Sequence, residues 1–150
     1  MKSLYCLFFA VLGVIATGCN NSSEVPEPML WSVSATGDGV SCRYTPEDYP
    51  QIHINADYAA GEARMVCTNR RQLHFGFFDD PRAVGYDFGF GDARISGDTV
   101  IVRFEEDNVG GEARDCQILV SAEGEASTTI AVTRTFTEME RQRTSGIYLP

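Results

Sequence analysis

Hydrophobic and polar residues alternate in short runs through most of the chain after residue 30. Turn-forming residues, chiefly glycine, asparagine and aspartate, separate one run from the next. A period of two is typical of a strand with one buried face, and no long helical stripe interrupts it. The runs cover residues 31–35, 51–55, 63–68, 73–77, 86–90, 100–104, 116–120 and 128–132. About eight strands separated by turns predict an all-β domain over residues 31–136, built as an antiparallel β-sandwich.

The first eighteen residues have a different pattern. Lys2 provides a positive charge at the start, and residues 4–16 are uncharged. Thirteen residues of helix extend about 20 Å, which is shorter than the roughly 30 Å hydrocarbon core of a bilayer. A charged start before a short apolar run therefore predicts a secretory signal peptide over residues 1–18.

The apolar run ends in small residues and a cysteine, Ala16-Thr17-Gly18-Cys19. This segment resembles the lipobox of bacterial lipoproteins, in which the cysteine is lipidated and the chain is cleaved just before it. The resemblance implies a lipid anchor on Cys19; the alternative is an ordinary signal peptide cleaved between Ala16 and Gly18. Asn20 is not the aspartate that signals inner-membrane retention in well-studied lipoproteins, so the resemblance implies the outer membrane, on either face.

The next segment and the charge of the chain narrow the choice of partners. Residues 19–30 are polar and proline-bearing without periodicity, which predicts a flexible tether. The chain carries 21 acidic and 12 basic residues, a formal net charge of -9. Binding to nucleic acid needs a basic face, so this composition excludes a nucleic-acid partner. We expect the membrane, through the anchor, and a glycan or another envelope protein as partners.

Five cysteines occur in the chain, and three of them fall in the predicted domain. Cys6 lies in the signal peptide, and Cys19 is the predicted lipidation site. Cys67 and Cys116 each lie in a strand-like run, and two interpretations are open for them. They either form a disulfide closing a loop of about 50 residues, which stabilises by about 4 kcal/mol, or they are free, small apolar side chains. Three is an odd number, so at least one of Cys42, Cys67 and Cys116 is unpaired or pairs between chains.

The second half of the domain contains a motif of glycine, asparagine, arginine and alternating apolar residues. It consists of Gly97-Asp98-Thr99-Val100-Ile101-Val102, Asn108, Arg114, Ile118, Val120 and Ile130-Ala131-Val132. Over residues 60–135 this resembles the BACON domain, an immunoglobulin-like sandwich common in lipoproteins and glycan-degrading enzymes of the Bacteroidota. The resemblance implies an immunoglobulin-like fold and a role in carbohydrate binding. Two family tryptophans, natural platforms for sugar rings, are missing, and Arg134 stands at the closing glutamine position.

Aromatic residues and carboxylates lie close together between residues 75 and 90. Aromatic rings beside carboxylates hold a sugar by stacking and hydrogen bonding, whereas alternating aromatics more often fill a core. Phe78 and Tyr86 are out of phase with the rest or carry a polar tip, so we expect this pair to be exposed. Trp31 is either a further platform or a buried core residue. The candidate ligand-binding residues are Trp31, Phe78, Asp79, Asp80, Tyr86 and Asp87.

Catalytic and metal-binding motifs are missing from the sequence. The two histidines, His53 and His74, lie in strand-like runs, and no nucleophile elbow, zinc motif or phosphate-binding loop is present. Acidic residues lack the spacing of a calcium loop. We therefore predict a protein that is not an enzyme and has no cofactor or metal: a lipid-anchored envelope β-sandwich that binds a glycan. The alternative is a structural or adhesion accessory protein that docks to another envelope protein. Residues 137–150 form a C-terminal tail.

Overall fold

A computed structural model describes residues 26–47, 49–76, 83–106, 113–123 and 126–135. Within these ranges every regular secondary-structure element is a β-strand, which confirms the all-β prediction. The strands are β1 (Trp31–Thr36), β2 (Val40–Thr45), β3 (Gln51–Ala56), β4 (Gly61–Cys67), β5 (His74–Phe75), β6 (Gly85–Asp87), β7 (Asp92–Ser96), β8 (Thr99–Phe104), β9 (Arg114–Ser121) and β10 (Ser127–Arg134). The predicted signal peptide 1–18, Cys19 and the predicted tail lie outside the described residues.

The strands form two five-stranded sheets, as the predicted β-sandwich requires. The first sheet has the order β1-β4-β8-β7-β6, and the second has the order β2-β3-β10-β9-β5. Neighbouring strands are antiparallel except for β3 and β10, which run parallel with Ile52 opposite Ile130 and Ile54 opposite Val132. The sandwich is therefore confirmed, and its second sheet is mixed rather than wholly antiparallel.

The inner faces of both sheets follow the alternation seen in the sequence. Every second residue of β3 and β10 is buried, and the same is true of the central strands of the first sheet. Side chains from the two inner faces interlock to form the core, as in other sandwiches. Its largest fully buried side chains are Phe75, Met29, Ile52, Ile54, Met65, Ile118 and Ile130.

The strand directions give the sandwich two ends, which we call the tether end and the far end. The tether end holds residues 26–30, the β2–β3 and β4–β5 connections, the β7–β8 turn and the β9–β10 connection. The far end holds the β1–β2 turn, the β3–β4 connection, the β6–β7 turn and the end of β10. A hydrogen bond joins the two sheets at each end. The Trp31 indole N–H donates to Thr128 Oγ1 at the tether end, and the Arg134 guanidinium donates to the Phe90 carbonyl at the far end.

The segment before β1 is held against the tether end by side chains of the domain. Asn69 accepts the Leu30 N–H at 2.8 Å through Oδ1 and donates from Nδ2 to the Pro28 carbonyl at 2.9 Å. The Tyr44 hydroxyl donates to the Met29 carbonyl at 2.8 Å, and the Met29 side chain is fully buried. Residues 28–30 are thus part of the folded domain. The prediction of a flexible tether reaching residue 30 is wrong for this last part.

Candidate functional site

Trp31 lies in the core rather than at a surface. It opens β1, it is 7% exposed, and its indole N–H donates to Thr128 Oγ1 of the opposite sheet at 3.0 Å. A ring with this burial has no free face for a sugar. The binding-platform interpretation of Trp31 is therefore wrong, and the core interpretation is confirmed.

Tyr86 lies on β6, the edge strand of the first sheet, and is half-buried. Its ring centroid is 6.3 Å from that of Phe75 and 5.9 Å from that of Phe88. Phe88 in turn meets Phe90 edge-on at 4.8 Å. Tyr86, Phe88 and Phe90 form an aromatic row that continues the core out to the edge of the sandwich, in the tilted geometries that ring quadrupoles favour. The row keeps Tyr86 from being fully exposed.

Asp87 is exposed and holds the turn between β6 and β7. Its Oδ1 accepts the Gly89 N–H at 2.8 Å, and Gly89 has a φ of +85°, which glycine adopts without strain. Because Tyr86 and Asp87 are neighbours in a strand, they point to opposite faces. Phe78, Asp79 and Asp80 lie outside the described residues. Of the six predicted site residues, only Tyr86 and Asp87 are therefore seen near the surface.

The far end contains an open groove that the sequence analysis missed. Its volume is about 330 Å³, and it lies between the β1–β2 turn and the far ends of β3 and β10. Val40 and Ala56 contribute its apolar lining. Its polar lining consists of Asp38, Ser41, Asn55, Asp57 and Thr135. Spacing in the sequence gives no signal for this site, because its residues come from three separate segments.

Asp57 is fixed in the wall of the groove by its neighbours. Its backbone N–H donates to the Gly39 carbonyl at 2.9 Å, and its Oδ1 accepts the Ala59 N–H at 2.8 Å. A Cβ added to Gly39 would lie 1.7 Å from that Oδ1, so the carboxylate occupies the space that a side chain at position 39 would need. Glycine at position 39 is thus what admits the Asp57 carboxylate.

Arg134 joins the groove wall to the other sheet. It is 3% exposed, and its guanidinium lies 5.9 Å from the centre of the Phe104 ring, a cation–π distance. The guanidinium donates to four backbone carbonyls, those of Asp57 (2.7 Å), Tyr58 (3.0 Å), Phe90 (3.2 Å) and Glu105 (2.6 Å). One side chain therefore holds together the loops that surround the far end.

Cys67 and Cys116 are free thiols, so the disulfide interpretation is wrong. Cys67 ends β4 opposite Trp31, at the tether end, whereas Cys116 pairs with Val132 nearer the far end. Val132 is four residues along β10 from Thr128, which meets Trp31. Four residues of strand advance ~13 Å, and a disulfide needs Cα atoms about 4.4–6.8 Å apart.

The partly buried thiols are poorly reactive. Burial raises the pKa of Cys42 to about 11, and burial, with a smaller contribution from Asp115, raises the pKa of Cys116 to about 11. At pH 8 only about one thiol in a thousand is then ionised, and the thiolate is the nucleophilic form.

Within the described ranges, no group of three or more His, Cys, Asp or Glu side chains is placed to hold a metal ion. The same residues contain no helix long and apolar enough to cross a membrane.

Comparison with known proteins extends these findings only as far as the fold. No family model and no curated protein matches the chain. Among solved structures it is similar to an NMR structure of a protein from Bacteroides thetaiotaomicron, with a TM-score of 0.52 and 15% sequence identity. The match covers 79% of this chain and 95% of that chain. At this identity the similarity supports the β-sandwich fold and nothing more specific.

Proposed function

We propose that the chain is a lipid-anchored, non-catalytic module of the cell envelope that presents its far end to a ligand. The observation that carries this proposal is the attachment of residues 28–30 at the tether end, through Asn69 and the buried Met29. A chain anchored at Cys19 would enter the domain at that end. The groove and the β6–β7 turn would then face away from the membrane, at the end of a tether of residues 20–26 that spans at most ~25 Å.

The first candidate ligand is a glycan, bound around β6. Asp87 offers an exposed carboxylate on one face of this edge strand, and Tyr86 offers part of a ring on the other face. A glycan that contacts both would pass around the edge of the sheet. Carboxylates that accept hydroxyl hydrogen bonds and rings that stack on sugar faces are the usual means of holding a sugar. The resemblance to the BACON domain favours the same ligand class. Trp31 has no part in this site because it is buried.

A second candidate function is docking to another envelope protein. Burial of Trp31 removes the one tryptophan that a sugar site would have used. The far-end groove, in contrast, is lined with carboxylates and other polar groups that suit a side chain of a partner. Docking at the groove requires the same orientation of the anchored domain, with the far end facing away from the membrane.

The anchor is tested by replacing Cys19. We expect Cys19→Ala to move the protein from the membrane fraction to the soluble fraction and to abolish incorporation of labelled palmitate, because the acyl chains provide the stable attachment. Cys42→Ala is the matched control, since it removes a half-buried thiol of the domain and should leave the protein in the membrane fraction. If the Cys19 variant stayed in the membrane fraction and took up palmitate like wild type, the anchor would be disproved.

The glycan is tested by array binding followed by calorimetry. Tryptophan fluorescence is unsuitable for this purpose, because the sole tryptophan is buried. We expect Asp87→Asn to weaken binding by about tenfold or more, since a hydrogen bond to a charged group contributes about 1.5–3 kcal/mol. An asparagine Oδ1 can still accept the Gly89 N–H, so the turn should persist. Asp115→Asn on β9 is the control, and failure of the folded wild type to bind any glycan would exclude this ligand.

A further inference from the structure

The far-end groove presents hydrogen-bond acceptors to the solvent. Its polar lining comprises two carboxylates, an amide and two hydroxyls, and none of its eight lining residues is lysine, arginine or histidine. Four of the five polar residues are exposed, Asp38, Ser41, Asn55 and Thr135, so a ligand reaches them directly. Carboxylates only accept, and amide and hydroxyl oxygens add further acceptors. The lining therefore matches a ligand rich in donors.

The Asp57 carboxylate is held in place before any ligand binds. Asp57 packs over Gly39, and Ala59 occupies its Oδ1. Within the described parts of the chain, no hydrogen bond engages its Oδ2. Asp38 follows Gly37, whose φ of +104° belongs to the tight turn into β2. The preformed position of the Asp57 carboxylate lowers the entropic cost of binding.

The charge of the groove favours a cation over a neutral ligand. The chain carries a formal net charge of -9, and two carboxylates line this small space. Arg134 lies on the inner side of the β3–β4 connection. It is 3% exposed and donates to the carbonyls of Asp57 and Tyr58 in that connection. A group arriving from solvent meets the exposed Asp38 carboxylate, whereas the Asp57 carboxylate is half-buried. Complementary charge speeds the encounter and selects the partner.

We propose that this groove binds an arginine side chain of a partner protein in the envelope. A guanidinium has five donors in a planar fork that matches carboxylates, which suits this set of acceptors. At about 330 Å³ the groove is near the lower limit of small-ligand sites, about 300–1,000 Å³, so it suits one side chain rather than an extended ligand. The inference rests on the proposed function only for the outward orientation of the far end.

The test uses N-acetyl-L-arginine amide as the probe and the full, ¹⁵N-labelled chain in detergent micelles. We expect saturable amide shifts confined to residues 38–41, 55–57 and 135, with half-saturation on the order of millimolar, as one side chain affords. N-acetyl-L-citrulline amide has nearly the same shape without the charge, and it should bind at least about tenfold more weakly.

Three substitutions complete the design. Asp57→Asn and Asp38→Asn should each weaken binding of the arginine probe several-fold, and Asp38 is exposed, so its replacement leaves the core intact. Glu123→Gln removes the same charge from an exposed position at the tether end and should leave binding unchanged. All variants are first compared with wild type by amide spectra to confirm that they fold.

Four outcomes would overturn the inference. Equal binding of the citrulline probe would show that charge plays no part, and shifts spread over all acidic residues would show a counterion effect only. An equal loss of arginine-probe binding in Glu123→Gln would likewise show a counterion effect only. Tighter saturation of the groove by a methyl glycoside would assign it to a sugar. Because these measurements do not depend on Cys19, a failed anchor and a failed groove remain distinguishable.

Discussion

Arg134→Met is expected to lower the free energy of unfolding by about 3–5 kcal/mol. Four backbone carbonyls accept from the guanidinium, and they belong to the loops around the far end of both sheets. Methionine fills a similar volume but donates nothing, so these carbonyls lose their partner in a buried setting. The measurement is urea denaturation, followed through the fluorescence of the sole tryptophan.

Two further variants separate the hydrogen bonds of Arg134 from its charge. Arg134→Lys keeps the charge, but one ammonium group cannot serve all four carbonyls, so about half of the loss should remain. Arg94→Met removes an arginine whose side chain is 67% exposed and paired with Asp92 at 3.3 Å, and its effect should stay within about 1 kcal/mol. A loss for Arg134→Met no larger than that for Arg94→Met would contradict the structural role assigned here.

The burial of Arg134 shows how far the alternation in the sequence can be used. Thr128, Ile130 and Val132 share the inner face of β10, and Arg134 is in phase with them. The sequence therefore contained the signal that this arginine points inward. What it lacked was the position of the carbonyl acceptors, which lie 29–77 residues away along the chain. Local pattern predicts the direction of a side chain, whereas its partners depend on how the sheets are assembled.

The missed strands show the same limit. The alternation in the sequence does not predict β2 and β7, because β2 is a half-buried edge strand and β7 has only Ala93 and Ile95 on its inner face. It also continues the strand at residues 86–90 through Gly89, whose positive φ belongs to a turn. The parallel pairing of β3 and β10 was not predictable either, since nothing in either strand's own pattern specifies its neighbour.

The candidate site was less predictable than the fold. The sequence shows the aromatic residues at 86, 88 and 90, but their division between core and surface depends on the packing of β6 at a sheet edge. The groove draws Asp38, Asn55, Asp57 and Thr135 from three segments that only the sheet register brings together. A groove of this kind has no spacing rule, because its residues are joined by topology rather than by one local element.

Trp31→Ala is expected to destabilise the fold by about 3–5 kcal/mol, because it leaves a cavity between the sheets. The indole is 7% exposed and donates to Thr128 Oγ1, which is itself buried at 1% exposure. Trp31→Phe keeps most of the volume but leaves the threonine hydroxyl without this donor, so it should cost about 1–3 kcal/mol. Urea denaturation followed by far-ultraviolet circular dichroism measures both, since the variants have no tryptophan to report.

The control for buried Trp31 is an exposed aromatic residue. Tyr49 is 82% exposed, and Tyr49→Ala should change the free energy of unfolding by no more than about 0.5 kcal/mol. If Trp31 were a surface platform, its alanine variant would behave like that of Tyr49 and would lose ligand binding without losing stability. A destabilised Trp31→Ala beside an unaffected Tyr49→Ala would instead identify the tryptophan as a core residue. The search for the ligand would then centre on the far end, where Asp38 and Asp87 are exposed.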